Sequence, residues 1–100
     1  MTPEGKIKKK IIDHFKNDPE VMIINKFQGK YGSAVGVSDL LCNVKGIFLA
    51  MEVKTPTGVL TRPQELFLKR TNSIGGLGIV VKSLDDAKEI VSKIKDMFKK

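Results

Sequence analysis

The chain of 100 residues, 41% of them apolar, is long enough for one domain with a modest core and too short for two, so a single domain over residues 1–100 is expected. Its one cysteine excludes a disulfide framework. The lack of an apolar run of roughly 18 residues, and of an apolar signal core, predicts no membrane span and an intracellular, cytoplasmic location. The net charge of +7 favours a polyanionic partner, nucleic acid or an anionic membrane surface, although a solvated lysine-rich surface has the same composition.

The first predicted element is a helix with Thr2 as its N-cap and Pro3 in its first turn. An apolar stripe continues it, formed by Ile7, Ile11, Ile12 and Phe15. Glu4 projects from the same side as this stripe, which is an unusual place for a carboxylate. Its position suits the helix dipole, and the alternative is that it is a third acidic group of a functional site.

The next apolar segment begins at Val21 and predicts a short strand that continues toward Phe27. A loop with three glycines follows, and its basic and aromatic residues, Lys26, Lys30 and Tyr31, are candidates for contacts with phosphates and with a base or sugar. The glycine spacing is wrong for a phosphate-binding P-loop. The simpler alternative is an ordinary turn-rich connection.

Two apolar runs between Gly36 and Lys54 predict a β-hairpin around a two-residue turn, Lys45-Gly46. This register makes one face wholly apolar, with Cys42 as a core residue, and places Asp39 opposite Glu52. A four-residue loop would keep Asp39 and Glu52 on the same face but offset them by one step along the ladder. A three-residue loop would place Asp39 among apolar side chains, which argues against it.

Opposed carboxylates repel each other unless a positive charge lies between them. The candidates are a divalent cation, Mg²⁺ or Mn²⁺, and the ammonium group of Lys54, which shares a strand face with Glu52.

A second helix is predicted after a turn at residues 55–58. Thr61 and Gln64 have the spacing of a capping box, which by itself explains Gln64. The inward side of the helix is expected to be formed by Leu66, Phe67 and Ile74. Its basic residues, Arg62, Lys69 and Arg70, are available to solvent or to DNA phosphates.

The last two elements are a buried strand over residues 77–82, parallel to a neighbour, and a helix that follows Ser83. Helical spacing predicts that the helix buries Ala87, Ile90, Val91, Ile94, Met97 and Phe98. The predicted fold class is α/β, with the order helix, strand, strand, strand, helix, strand, helix, and a mixed central sheet of about four strands flanked by helices.

An acidic residue on one strand and Glu-x-Lys on the next form the arrangement by which metal-dependent phosphodiesterases build a cation site beside a basic group. The carboxylates hold a metal that polarises the phosphate and activates water. The lysine orients that water or stabilises the extra negative charge.

These residues resemble the VRR-NUC domain of the PD-(D/E)xK, or restriction-endonuclease-like, nuclease superfamily. The resemblance is carried by an ordered set of motifs: Gly36-Val37-Ser38-Asp39, Glu52-Val53-Lys54, Gly58, Gln64 and the segment from Gly75 to Val81. Where the family usually has proline, this chain has Ser38, which can donate a hydrogen bond to the aspartate or to a phosphate.

The resemblance implies roles for particular residues. Asp39 and Glu52 would be metal ligands, helped by the Val53 carbonyl and by Glu4. Lys54 would act on the attacking water, with Gln64 as a site residue carried by the second helix.

The expected function is therefore a Mg²⁺- or Mn²⁺-dependent, structure-selective DNA endonuclease. Short stand-alone members of the family, often encoded by phages, are similar to Holliday-junction resolvases, which implies a homodimer acting on branched DNA. Two alternatives remain at this point. They are a non-catalytic basic module that binds nucleic acid, and a small interaction protein whose acidic pair is merely solvated.

Overall fold

The computed structural model describes residues 1–25 and 36–99. Its elements are α1 (Pro3–Phe15), β1 (Val21–Ile23), β2 (Leu40–Val44), β3 (Ile47–Val53), α2 (Arg62–Ser73), β4 (Leu77–Val81) and α3 (Leu84–Asp96). The predicted α/β class and element order are confirmed. The predicted DNA contacts Lys26, Lys30 and Tyr31 lie outside the described residues. No helix in the described part of the chain is long and apolar enough to cross a membrane.

The four strands form one mixed sheet in the order β1-β2-β3-β4, and only the β3–β4 pair is parallel. The hairpin between β2 and β3 has the predicted two-residue turn, and Lys45 and Gly46 both have positive φ, 50° and 92°. This is the turn geometry that follows the natural twist of paired strands. The ladder pairs Leu40 with Met51, so the predicted register is confirmed. Asp39 lies one residue before the ladder begins.

The main core lies on the face of the sheet that α1 and α3 cover. Its largest fully buried apolar side chains are Ile11, Leu40, Leu49, Met51 and Ile94. Cys42 belongs to this cluster, and burial raises the pKa of its thiol to about 11. A thiol that stays protonated is a poor nucleophile, so Cys42 is a packing residue, as predicted.

Helix α2 covers the opposite face, and here part of the prediction is wrong. Leu66 and Ile74 were expected to face inward but are 46% and 67% exposed, whereas Leu68 and Thr71 are buried. The reason is a close approach of helix and strand: a Cβ atom added to Gly78 would lie 2.8 Å from the Leu68 carbonyl oxygen. This contact sets the rotation of α2, and residues four before and three after Leu68 share its face.

The C-terminal helix also ends earlier than its apolar pattern suggested. Met97 and Phe98 follow the end of α3 and are exposed, so the prediction that they belong to the core is wrong. Phe98 instead places its ring 5.5 Å from the Lys45 ammonium at the hairpin turn.

Two side chains cap part of the outer edge of β4, at Gly78 and at Lys82, which follows the strand. Asn72 donates to the Gly78 carbonyl (3.1 Å) and accepts from the Gly78 N–H (2.8 Å), and Asp86 accepts from the Lys82 N–H (2.8 Å). These side chains take the hydrogen bonds that a further strand would otherwise make.

Candidate active site

Asp39 is held at the start of β2 by contacts with two neighbouring strands. Its carboxylate Oδ2 accepts a hydrogen bond from the Val53 backbone N–H at 3.0 Å. On the other side, the Asn25 amide donates to the Asp39 carbonyl (3.3 Å) and accepts from the Leu41 N–H (2.6 Å). Asn25 was not among the site residues predicted from the sequence. The only indication in the sequence was that Asn25 is a polar residue directly after the apolar run that begins at Val21.

Glu52 is a carboxylate in the interior of the protein, 2% exposed, near the end of β3. Its Oε2 accepts a hydrogen bond from Gln64 Nε2 at 3.2 Å and lies 3.9 Å from the Lys54 ammonium. Its other oxygen, Oε1, is buried and receives no hydrogen bond from the described residues. A buried oxygen without a donor is costly, because it has lost water and gained nothing in return.

Lys54 follows β3 directly and continues its pairing, since its N–H donates to the Val81 carbonyl at 3.0 Å. Its side chain is nearly buried beside Glu52. The turn after it leaves room for the aliphatic stem, because a Cβ atom added to Gly58 would lie 3.3 Å from Lys54 Cβ.

Gln64 takes part in both arrangements that the sequence suggested for it. Its Oε1 accepts from the Thr61 N–H (3.0 Å) and so completes the capping box of α2, while its Nε2 donates to Glu52. A backbone N–H can only donate, so the Gln64 amide oxygen must face the Thr61 N–H, and this fixes the orientation of the amide. The helix cap therefore aims the amide nitrogen at Glu52.

The surroundings of Glu52 raise its pKa to about 8. Loss of solvation is the largest cause, followed by a hydrogen bond that favours the protonated acid and by charge repulsion, both involving Asp39. Lys54 opposes the increase and Glu4 adds to it. Among the described residues, two other acidic groups and one lysine are thus close enough to affect the ionisation of Glu52.

Glu4 lies in the first turn of α1, near enough to Glu52 to affect its ionisation. Within residues 1–25 and 36–99, however, no three His, Cys, Asp or Glu side chains are grouped so that they could hold a metal ion. The roles of Glu4 and of the Val53 carbonyl as ligands therefore stay predictions.

The loop that carries Asp39 rests against the first turn of α2. Gly36 has a φ of +87°, and a Cβ atom added there would lie 2.8 Å from the Pro63 carbonyl oxygen. Only glycine combines this conformation with so close an approach. The contact joins the Asp39 loop to the helix that carries Gln64.

Ser38 lies between Gly36 and Asp39 and is 1% exposed. Its Oγ has no hydrogen-bond partner among the described residues. The predicted contact between Ser38 and DNA stays untested, and a buried hydroxyl is not on the surface that a duplex would meet first.

The basic residues predicted to contact DNA from α2 are all exposed: Arg62, Lys69 and Arg70. The Arg62 guanidinium lies 2.7 Å from the Glu65 carboxylate, an exposed pair within one helical turn. These side chains share a helix with Gln64 and are accessible to a large anionic partner.

The strand order and the three helices define a mixed α/β fold with one four-stranded sheet. No protein-family model matches the sequence, and no curated protein has significant similarity to it. Among solved structures, a chain described as "VRR_NUC domain" superimposes with a TM-score of 0.67 and 23% sequence identity, covering 99% of this chain and 100% of that one. The chain therefore has the fold of a VRR_NUC domain, as its motifs predicted.

Proposed function

We propose that this protein is a metal-dependent endonuclease that hydrolyses phosphodiester bonds in DNA. The observation that carries the proposal is the convergence of Asp39, Glu52, Lys54 and Gln64 on one end of the sheet, in a chain with the fold of a VRR_NUC domain. A buried carboxylate beside a second carboxylate costs stability, so the arrangement is more consistent with a site for chemistry than with a structural role.

The residues present suit Mg²⁺ or Mn²⁺. Both ions prefer oxygen ligands, and Glu52 offers a buried Oε1 that has no donor among the described residues, next to the carboxylate of Asp39. A divalent cation would add positive charge beside these carboxylates. It would also remove the reason for Glu52 to keep a proton at neutral pH.

The described contacts support distinct tasks for the protein groups in this proposal. Gln64 holds Oε2 of Glu52, which leaves Oε1 free for a cation, and the Val53 N–H holds one oxygen of Asp39. When bound, the cation supplies Lewis-acid activation of the phosphate and of a water molecule. Lys54 stabilises the additional negative charge on the phosphate as the P–O bond breaks, from a nearly buried position where its charge is poorly screened.

The DNA substrate is supported by the net charge of +7 and by the exposed basic residues on α2. Selectivity for branched DNA, such as a four-way junction or a flap, and action as a homodimer follow from the resemblance to junction-resolving members of the family. Two symmetry-related sites would select a substrate by its shape rather than by its sequence.

A cleavage panel tests the proposal. Four-way junction, flap and linear duplex are incubated with the wild type and Mn²⁺, Mg²⁺ or EDTA, and the mass of the protein in solution is measured in parallel. We expect metal-dependent cleavage, faster on branched DNA, by a dimer. Glu52→Gln and Lys54→Met should each reduce the cleavage rate by at least about 100-fold.

The matched control is Lys93→Met, which removes the same charge from an exposed pair with Glu89 on α3. It should cleave DNA like the wild type. If no substrate is cut, or if Lys54→Met cuts as fast as Lys93→Met, the proposal is wrong. Salt-sensitive DNA binding that is indifferent to metal and to Glu52→Gln would instead identify a non-catalytic binding module, which the charge alone would support.

A further inference from the structure

We propose that Asn25 is a positioning residue that holds Asp39 in place for the reaction. The catalytic part of this inference rests on the proposed function, whereas its structural part does not. Asn25 is half-buried two residues after the end of β1, and its side-chain amide makes two hydrogen bonds to the main chain on either side of Leu40.

The need for such a residue comes from the way the sheet ends. The Ile24 N–H donates to the Leu41 carbonyl at 2.7 Å, which is one half of a regular antiparallel pair. In a regular pair the Leu41 N–H would donate back to the Ile24 carbonyl. Here it donates to Asn25 Oδ1 at 2.6 Å instead. The side chain of Asn25 therefore replaces the main chain at the last position where β1 supports β2.

A primary amide suits this task because it carries the donor and the acceptor of a peptide group in one plane. Asn25 Nδ2 donates to the Asp39 carbonyl, so the backbone is fixed just before and just after Leu40. With the backbone fixed, the Asp39 carboxylate is aimed at the Val53 N–H on the far side of β2. Asn25 thus acts on the site through Asp39.

Amide hydrogen exchange in metal-free protein without DNA tests the structural part. In Asn25→Ala, we expect faster exchange at Leu41, which Asn25 contacts, and also at Val53, whose amide is held by Asp39. A hydrogen bond worth about 1 kcal/mol corresponds to roughly a fivefold change in exchange rate at Val53. Asn25→Asp keeps the acceptor for Leu41 but loses the donor, so its effect at Val53 should be intermediate.

The chain offers a matched control. Asn72 makes the same pair of hydrogen bonds to a backbone N–H and carbonyl, those of Gly78 at the edge of β4. Asn72→Ala removes equivalent bonds, so it should lower the melting temperature comparably and leave exchange at Val53 unchanged. If Val53 stays protected in Asn25→Ala, or is exposed equally in Asn72→Ala, the inference is wrong.

Two further measurements test the catalytic part. For Asn25→Ala, we expect kcat on the best substrate of the panel to fall about tenfold or more while KM for DNA is unchanged, because Asn25 affects the site and not the DNA-binding surface. The increase in melting temperature on adding Mn²⁺ should also be smaller than in Asn72→Ala.

The outcomes separate the two proposals. A wild type that cuts no DNA, together with loss of Val53 protection in Asn25→Ala, would refute the nuclease and keep Asn25 as the residue that positions Asp39. Normal kcat and a normal Mn²⁺ response in Asn25→Ala would overturn its role in the reaction.

Discussion

Replacing Glu52 with glutamine should stabilise the metal-free protein at alkaline pH while removing the proposed nuclease activity. The substitution keeps the size of the side chain and the acceptor for Gln64 Nε2, and it adds N–H donors that can reach Asp39. It removes the one property that makes Glu52 unfavourable, which is its negative charge in a buried, acidic site.

The magnitude follows from the pKa of Glu52, about 8 in the folded protein against 4.5 when unperturbed. Because the folded state binds the proton more tightly than the unfolded state, stability falls as the pH rises from about 4.5 to 8, and the loss is complete above that range. At 1.36 kcal/mol per pKa unit, the total cost is about 5 kcal/mol. The glutamine variant has no such cost, so the two proteins should differ by less than about 1 kcal/mol at pH 5 and by several kcal/mol at pH 8.5.

Urea unfolding in EDTA at pH 5, 6, 7 and 8.5 measures this difference. We expect Glu52→Gln to move the midpoint at pH 8.5 upward by more than about 1 M urea with little change in slope. Glu65→Gln is the matched control, since its carboxylate lies at the surface beside Arg62, and its profile should run parallel to that of the wild type. A Glu52→Gln profile that is parallel to the wild type, or lower at pH 8.5, would refute the reasoning.

Three further substitutions test the surroundings of the site. Gln64→Glu keeps an acceptor for the Thr61 N–H but places a third carboxylate against Glu52. Urea unfolding should therefore show a loss of stability at pH 8 that largely disappears at pH 5. Equal losses at the two pH values would contradict this. Ser38→Ala should leave the melting temperature unchanged or raise it, because it removes a buried hydroxyl that has no partner among the described residues. A loss of stability above about 1 kcal/mol would show that the hydroxyl is used. Gly36→Ala should unfold at a lower urea concentration than Gly46→Ala. Both glycines have positive φ, but of the two only Gly36 lies against Pro63. Equal losses of stability in the two variants would rule out this contact.

The hairpin was predictable because two local rules agreed. A glycine in a two-residue turn sets the register, and alternating apolar residues on both strands exclude a shift by one residue. The same register placed Asp39 beside Glu52, and the structure connects the two strands there through the Val53 N–H.

The rotation of α2 was not predictable because it depends on a contact distant in sequence. Leu66, Phe67 and Leu68 are consecutive apolar residues, so helical spacing alone does not decide which of them faces the sheet. The absence of a side chain at Gly78 decides it, because the helix can approach the strand closely at Leu68.

Asn25 was missed for a related reason. Its partners, Asp39 and Leu41, are more than ten positions away, and a single asparagine after a strand is more typical of a turn. Gln64 was predicted to act either as a helix cap or as a site residue. It does both, because its amide oxygen accepts from the Thr61 N–H while its amide nitrogen donates to Glu52.

The capped part of the β4 edge limits how two copies of this protein can meet. Asn72 and Asp86 occupy the outward-facing groups of Gly78 and Lys82, so a strand from a second molecule cannot extend the sheet there without displacing both side chains. An assembly that keeps these contacts must therefore avoid strand pairing at Gly78 and Lys82, and among the described strands the other edge of the sheet is β1.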